Sequence, residues 1–245
     1  QFALKLQPPA AGPGFGGVEA LIGADGRIRV TNTTLTPFNA ICRLRVTFPN
    51  GNVCSGTASF VGLRVLLSNA HMVYSKADGG WATRIEVTPG QNGTSKPFGS
   101  QFAIDARIPT GWLSNESNRD FDMSWIILPD ATLFNRVGFH FGYATTTDSQ
   151  LKSMSINLSG YHGDKNGEQW RAFGGGNQQV KALQFNHFLD TMPGASGSPV
   201  WQLRSDGSRY VVGAHCAGLT NVRNIATRMS TGYFNVTKDL KARNP

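Results

Sequence analysis

Hydrophobic and polar residues alternate in short runs along most of the chain, the two-residue period of strands that bury one face. NAICRLRVTF (39–48) alternates, breaks at PNGN and resumes in VCSGTASFVG (53–62), which predicts a hairpin turning on Asn50-Gly51. GRIRVTNTT (26–34) alternates too. RVLLSNAHMVY is an apolar run that ends in polar residues, and ATRIEVTPG and FDMSWIILP predict further strands. Beyond Pro129 the rhythm resumes in SMSINLSGYHG, VKALQFNHFLD, SPVWQLR and RYVVGAHCAG. The one helix predicted is the tail TGYFNVTKDLKA, where Phe234, Val236 and Leu240 share a face. Many short strands with one terminal helix predict an all-β chain of two antiparallel barrels side by side. The join is expected at residues 129–140, where DATLFNRVGF breaks the strand rhythm. PPAAGPGFGG, near the start, reads as a linker.

Composition narrows the class. The 245 residues allow one large or two small domains, and 40% hydrophobic content supports a real core. A charged fraction of 16% argues against disorder. No apolar run reaches the ~20 residues that cross a bilayer, so no membrane partner is expected. Lys and Arg number 23 against 15 Asp and Glu, a net charge of +8. The basic residues are scattered, with no run and no interleaved aromatics, so nucleic acid is not an expected partner. Acidic substrates would be drawn to such a surface. Three cysteines, Cys42, Cys54 and Cys216, lack zinc-site spacing and allow at most one disulfide. Sequons at Asn32, Asn92, Asn115, Asn157 and Asn235, and a start at Gln1 rather than Met, predict a processed, secreted glycoprotein.

DTMPGASGSPVW (190–201) surrounds Ser196 with Gly194, Ala195, Gly197 and Ser198. Such a stretch makes turns. It also suits a nucleophile, which needs an exposed Oγ and backbone N–H groups open to a carbonyl. A serine that attacks an amide needs a base and an acid to orient that base. Of the five histidines, only His71 follows a strand-like run beside a small residue, in LLSNAHMVY. Asp122 heads the apolar run MSWIIL, with Asp120 as a neighbouring alternative. Each residue alone reads as an ordinary turn or structural residue.

In the order His, Asp, Ser, the segments SNAH, FDMSWIIL and GASGSPV resemble the chymotrypsin-like serine proteases. A closer resemblance, to the bacterial glutamyl endopeptidases, is carried by ALIGADGRIRVTNTT, TPGQNGTSKPFGS, SGYHGDK, LDTMPGASGSPV, GAHCAG and NIATRMSTGYF. It implies two six-stranded antiparallel β-barrels of chymotrypsin-like type with a short C-terminal helix. The expected division is an N-terminal extension over 1–20, a first barrel over 21–133 carrying His71 and Asp122, and a second barrel over 134–245 carrying Ser196. The resemblance further implies Ser196 as nucleophile, His71 as general base, Asp122 as its orienting acid, and the N–H groups of Gly194 and Ser196 as the oxyanion hole.

Specificity is where two readings compete. Asp190, six residues before Ser196, stands where trypsin-like enzymes place the carboxylate that selects Arg or Lys. Against it, the resemblance puts His215, Thr191 and Gly218 in the pocket of an enzyme that cuts after Glu, and after Asp more weakly. A buried substrate carboxylate needs donors and is repelled by a second carboxylate, so Asp190 is expected to point away. His140 and His162 are read as loop or surface residues; His187 could face either way. Met72 stands where many relatives carry a bridging cysteine, so free thiols are expected. Ala195 replaces the aspartate that captures a new amino terminus in trypsin-like enzymes. No metal or cofactor is required, and a monomer acting on acidic peptide substrates is expected. A protease-fold protein that only binds a partner is a third reading; its kind usually lacks a triad residue.

Overall fold

The computed structural model describes residues 20–219 and 222–245. The linker-like segment and all but the last residue of the expected 1–20 extension therefore lie outside the described residues. Among the described residues, two large sheets and a two-stranded ribbon of Tyr74–Ser75 and Gly80–Trp81 carry the chain. The first runs, in order, Gln101–Phe102, Arg84–Pro89, Ile41–Thr47, Val53–Phe60, Val65–Ser68, Ser124–Ile127 and Asp105–Arg107. The second runs Ile28–Arg29, Trp170–Gly175, Ser155–Gly160, Pro199–Leu203, Arg209–Leu219, Arg223–Arg228, Gln184–His187 and Gln179–Val180, with Gly142–Tyr143 paired alongside. All pairings in both are antiparallel except that of Gly142–Tyr143.

The predicted hairpin is present, with Val46 opposite Cys54 and Gly51 in the left-handed region at φ 86°. Asn50 and Gly51 form its turn because a tight reversal between twisted strands needs positive φ, which glycine adopts without a side-chain clash. Leu44 and Val46 are buried, while Arg45 faces out, as the alternation requires.

Several expectations need correction. Among the described residues the sheets hold seven and nine strands rather than six each, because short edge ladders add to both. GRIRVTNTT contributes only Ile28–Arg29, and it pairs with Trp170–Arg171 in the second sheet, so a first barrel beginning at 21 does not describe it. Three short helices, Thr110–Ser114, Thr132–Val137 and Asp148–Ser153, join the tail helix Thr231–Arg243. In the tail, Tyr233 and Thr237 form the buried centre of the face, flanked by half-buried Phe234, Val236 and Leu240.

The tail helix braces the first sheet. Trp125 donates through Nε1 to Thr237 Oγ1 at 2.8 Å, and the Tyr233 ring meets Trp125 edge-on at 5.7 Å. Between the sheets, Thr57 acts as a staple. Its N–H donates to Ser196 O at 2.8 Å, its hydroxyl donates to Gly194 O at 3.1 Å, and its Oγ1 accepts from Tyr161 N at 3.0 Å. These bonds join the Val53–Phe60 strand to the serine turn, so the turn is held against the sheet that carries the histidine.

Candidate active site

His71 lies in the 3-10 turn Ala70–Met72, directly after the buried strand Val65–Ser68. Asp122 caps another such turn, Arg119–Phe121, which leads into Ser124–Ile127. Ser124 and Ser68 are paired across these strands, which brings the two turns together at one sheet end. Asn69 Nδ2 donates to Asp122 O at 2.8 Å, and Ser124 Oγ donates to Asn69 O at 2.7 Å. With both loops pinned, His71 Nδ1 lies 2.8 Å from Asp122 Oδ2 and 3.0 Å from Oδ1, and the His71 N–H donates to Oδ1 at 3.0 Å.

Asp122 is fully buried. Burial alone would push its carboxyl up, but the adjacent His71 and the Arg119 guanidinium hold it below the usual carboxylate range. Asp120, the alternative acid, instead accepts from Gln184 Nε2 at 2.9 Å through its side chain.

A cleft of about 420 Å³ is lined by His71, Ser196, Gly194 and Cys216, with Trp112 and Met72 on its walls. The serine turn is shaped by its backbone bonds. Pro193 O accepts from Gly163 N at 2.6 Å, and Ala195 O accepts from Ser198 N at 2.8 Å. In a trans peptide the N–H lies opposite the carbonyl, so these bonds turn the N–H groups of Gly194 and Ser196 the other way. Gly194 sits at φ 101°, and a Cβ there would stand 2.6 Å from Tyr161 O. Only glycine meets both conditions.

The residues expected to shape specificity are not among those that line this cleft. Thr191 and His215 are fully buried, Gly218 is buried beside them, and none of the three lines the cleft volume. The backbone of His215 is tied to the serine turn, accepting from Gly197 N at 2.8 Å and donating to Ser198 O at 2.9 Å. Thr191 Oγ1 has no hydrogen-bond partner among the described residues. His187 faces inward: its Nε2 lies 3.2 Å from His215 Nδ1, and burial, with His215 beside it, pushes it well below the ordinary histidine range. Sequence reasoning left its direction open. The signal was present, since His187 lies in the strand that pairs with Arg223–Arg228, the partner of the His215 strand.

His162 is a correction: it is buried rather than on a loop surface, and its Nδ1 accepts from Met192 N at 3.1 Å. Burial pushes it down to about 3. His140 is half-buried. Asp190 is turned toward the segment after Ala20. Its carboxylate accepts from Ile22 N at 2.6 Å and from Gly26 N at 2.7 Å. Asn224 grips the same segment, donating to Ala20 O at 2.9 Å and accepting from Ala20 N at 3.2 Å. Cys42, Cys54 and Cys216 are all free thiols, and burial pushes Cys54 up to about 12. Among the described residues, no group of three or more His, Cys, Asp or Glu is placed to hold a metal ion.

Two antiparallel sheets stapled at a serine turn, with buried Asp122 paired to part-buried His71 at the same cleft, are the architecture of the chymotrypsin-type serine protease fold. A scan of family models finds no match. Comparison with individual proteins does. The chain is 35% identical over 77% of its length to the glutamyl endopeptidase of Bacillus licheniformis, and 31% identical over 88% to a Bacillus subtilis protein named extracellular metalloprotease. It spans 56% and 68% of the lengths of these curated relatives. A solved glutamyl endopeptidase superposes with a TM-score of 0.77 at 28% identity, covering 91% of this chain and 99% of that one. The Anisep protease of Arthrobacter nicotinovorans shares the fold, with a TM-score of 0.72 at 17% identity, covering 89% of this chain and 100% of that one. The chain belongs to the glutamyl endopeptidase branch of the chymotrypsin-like serine proteases.

Proposed function

We propose that the chain is a secreted serine endopeptidase that hydrolyses peptide bonds on the C-terminal side of Glu, and of Asp more weakly. Ser196 Oγ attacks the scissile carbonyl, and His71 takes its proton and later returns it to the leaving amine. Asp122 holds the His71 tautomer that keeps Nε2 free to accept, and it stabilises the imidazolium that forms. The N–H groups of Gly194 and Ser196 donate to the oxyanion; one such donor is worth about 3–4 kcal/mol in the transition state. The observation that carries this reading is part-buried His71, paired to buried Asp122, on the same cleft as Ser196.

Preference for an acidic residue rests on the buried polar groups near the serine turn in sequence and in backbone bonding. Asp190 is engaged by two backbone N–H groups, so its carboxylate is not a free partner for Arg or Lys. Thr191 Oγ1 is a buried hydroxyl with a hydrogen bond still to make. His187, kept neutral by burial, can donate its Nε2–H to His215 Nδ1, which keeps the proton of His215 on Nε2, where it can donate to a substrate carboxylate. Secretion is supported by the relative named extracellular.

Two peptides that differ only in Glu or Arg before the cut test this reading. The Glu peptide should be cleaved faster, and His215→Ala should lower its kcat/KM by about 10²-fold while leaving the melting curve little changed. Faster cleavage of the Arg peptide, or normal Glu cleavage by the variant, would overturn the pocket assignment.

A further inference from the structure

The Asp122 carboxylate has no solvent exposure, so its acceptors must be met inside the protein. His71 supplies its backbone N–H and Nδ1. A further donor comes from an unexpected place: Arg119 Nη1 donates to Asp122 Oδ2 at 2.9 Å. Oδ2 thus bridges an imidazole on one side and a guanidinium on the other. Arg119 sits three residues before Asp122 on the same 3-10 turn, and its carbonyl is fixed by Thr227 Oγ1 at 2.8 Å. Its guanidinium lies 5.6 Å from the centre of the Trp112 ring, and that ring packs 6.4 Å from the His71 ring. Cys216, on the cleft wall beside Asp122, sends its thiol to Ile225 O at 3.4 Å instead.

We propose that Arg119 is a positioning residue of the triad, orienting the Asp122 carboxylate toward His71 and, through its charge, shaping the acid side of the activity profile. The proposal rests on the triad reading above. A fixed cation beside Oδ2 makes a further positive charge at the triad less favourable, so removing it should narrow the activity profile on its acid side. The other groups near the pair have partners of their own. Asp120 turns its carboxylate to Gln184, Tyr233 donates its hydroxyl to Asp120 O at 2.7 Å, and burial pushes the Cys216 thiol up so that it stays neutral. Glu116, on the cleft wall, accepts from Lys76 N at 3.1 Å. Among the described residues, the ion pairs of Asp122 are those with His71 and Arg119.

The test is the rate of fluorophosphonate labelling at Ser196 as a function of pH, measured on the full chain as wild type, Arg119→Met and Arg119→Lys. Labelling reports activation of the serine and does not depend on which peptide side chain the pocket prefers. Arg119→Met keeps an apolar stem against Trp112 and removes the charge. Its acid limb should move up by about half to one pH unit, so labelling one unit below the wild-type midpoint falls a further ~3–10-fold relative to its own plateau. Arg119→Lys should recover at least half of the shift. A lower plateau with an unmoved limb in Arg119→Met would overturn the proposal, as would a Lys variant whose limb coincides with that of Met. Should Arg119→Met melt below the assay temperature, Arg119→Gln is read by the same criteria. A wild-type chain that labels nowhere, or away from Ser196, refutes the hydrolase reading itself and this proposal with it.

Discussion

Replacing Asp190 with Ala separates two roles for one carboxylate. In this structure Asp190 is 8% exposed, and its side chain ties down the chain after Ala20 through Ile22 N and Gly26 N, at 2.6 and 2.7 Å. Hydrogen bonds to a charged acceptor contribute about 1.5–3 kcal/mol each. Two of them, with water able to reach part of the site, place the loss at the low end of the sum, about 3 kcal/mol. In a chain of this size that lowers Tm by roughly 6–12 °C. Asp190→Asn keeps one acceptor oxygen and should lose about half as much. Urea unfolding followed by tryptophan fluorescence reads the loss, and cleavage of the paired Glu and Arg peptides reads the chemistry. If Asp190 were instead the floor of an Arg pocket, its removal would relieve a buried carboxylate that lacked its ligand, stability would hold, and Arg cleavage would vanish. A variant within about 0.5 kcal/mol of wild type that has lost Arg cleavage would refute the latch.

Two further outcomes follow from the same coordinates. Gly194→Ala forces a side chain into φ 101° and toward Tyr161 O at 2.6 Å, so the turn must shift; kcat/KM should fall by about 10²–10³-fold with a much smaller loss of melting temperature, and a variant with full activity would remove Gly194 from the oxyanion hole. His162 and His187 are both held neutral by burial, His162 down to about 3 and His187 well below its ordinary value. The unfolded chain binds protons at these groups below about pH 6.5 while the native chain does not, so stability is full above that pH and falls as pH drops toward the native values. The expected slope is up to about 1.4 kcal/mol per pH unit for each histidine, read from urea midpoints between pH 7 and pH 4.5, and a flat profile would contradict the burial.

The strands were readable because half-buried strands leave a period of two, and Ile41–Thr47 and Val53–Phe60 lie where the alternation put them. Elements of five or six residues leave no such mark: Thr110–Ser114 and Thr132–Val137 are a turn and a half long, too short for a helical period to emerge. Alternation also overreached in GRIRVTNTT, where partners exist for only two residues, because a pattern states which side of a strand is apolar and not whether a neighbour is there to bond it. The candidate site divides along the same line. His71, Asp122 and Ser196 each belong to a segment with its own local character, and order along the chain joined them. Arg119 carries no such character. An arginine three residues before an aspartate is common on any surface, and it acquires meaning only because a 3-10 turn points both side chains the same way and burial denies Asp122 water. Asp190 is the sharper case, since its distance of six residues from Ser196 fits either a specificity floor or a latch. What separates the two is the chain that follows Ala20, some 170 residues earlier in sequence, whose N–H groups reach the carboxylate first. A local motif fixes which chemistry a side chain could perform, whereas its partner, supplied by distant chain, decides which it does perform; substitutions at such partners are therefore where relatives that share the motif can diverge in pH range and stability.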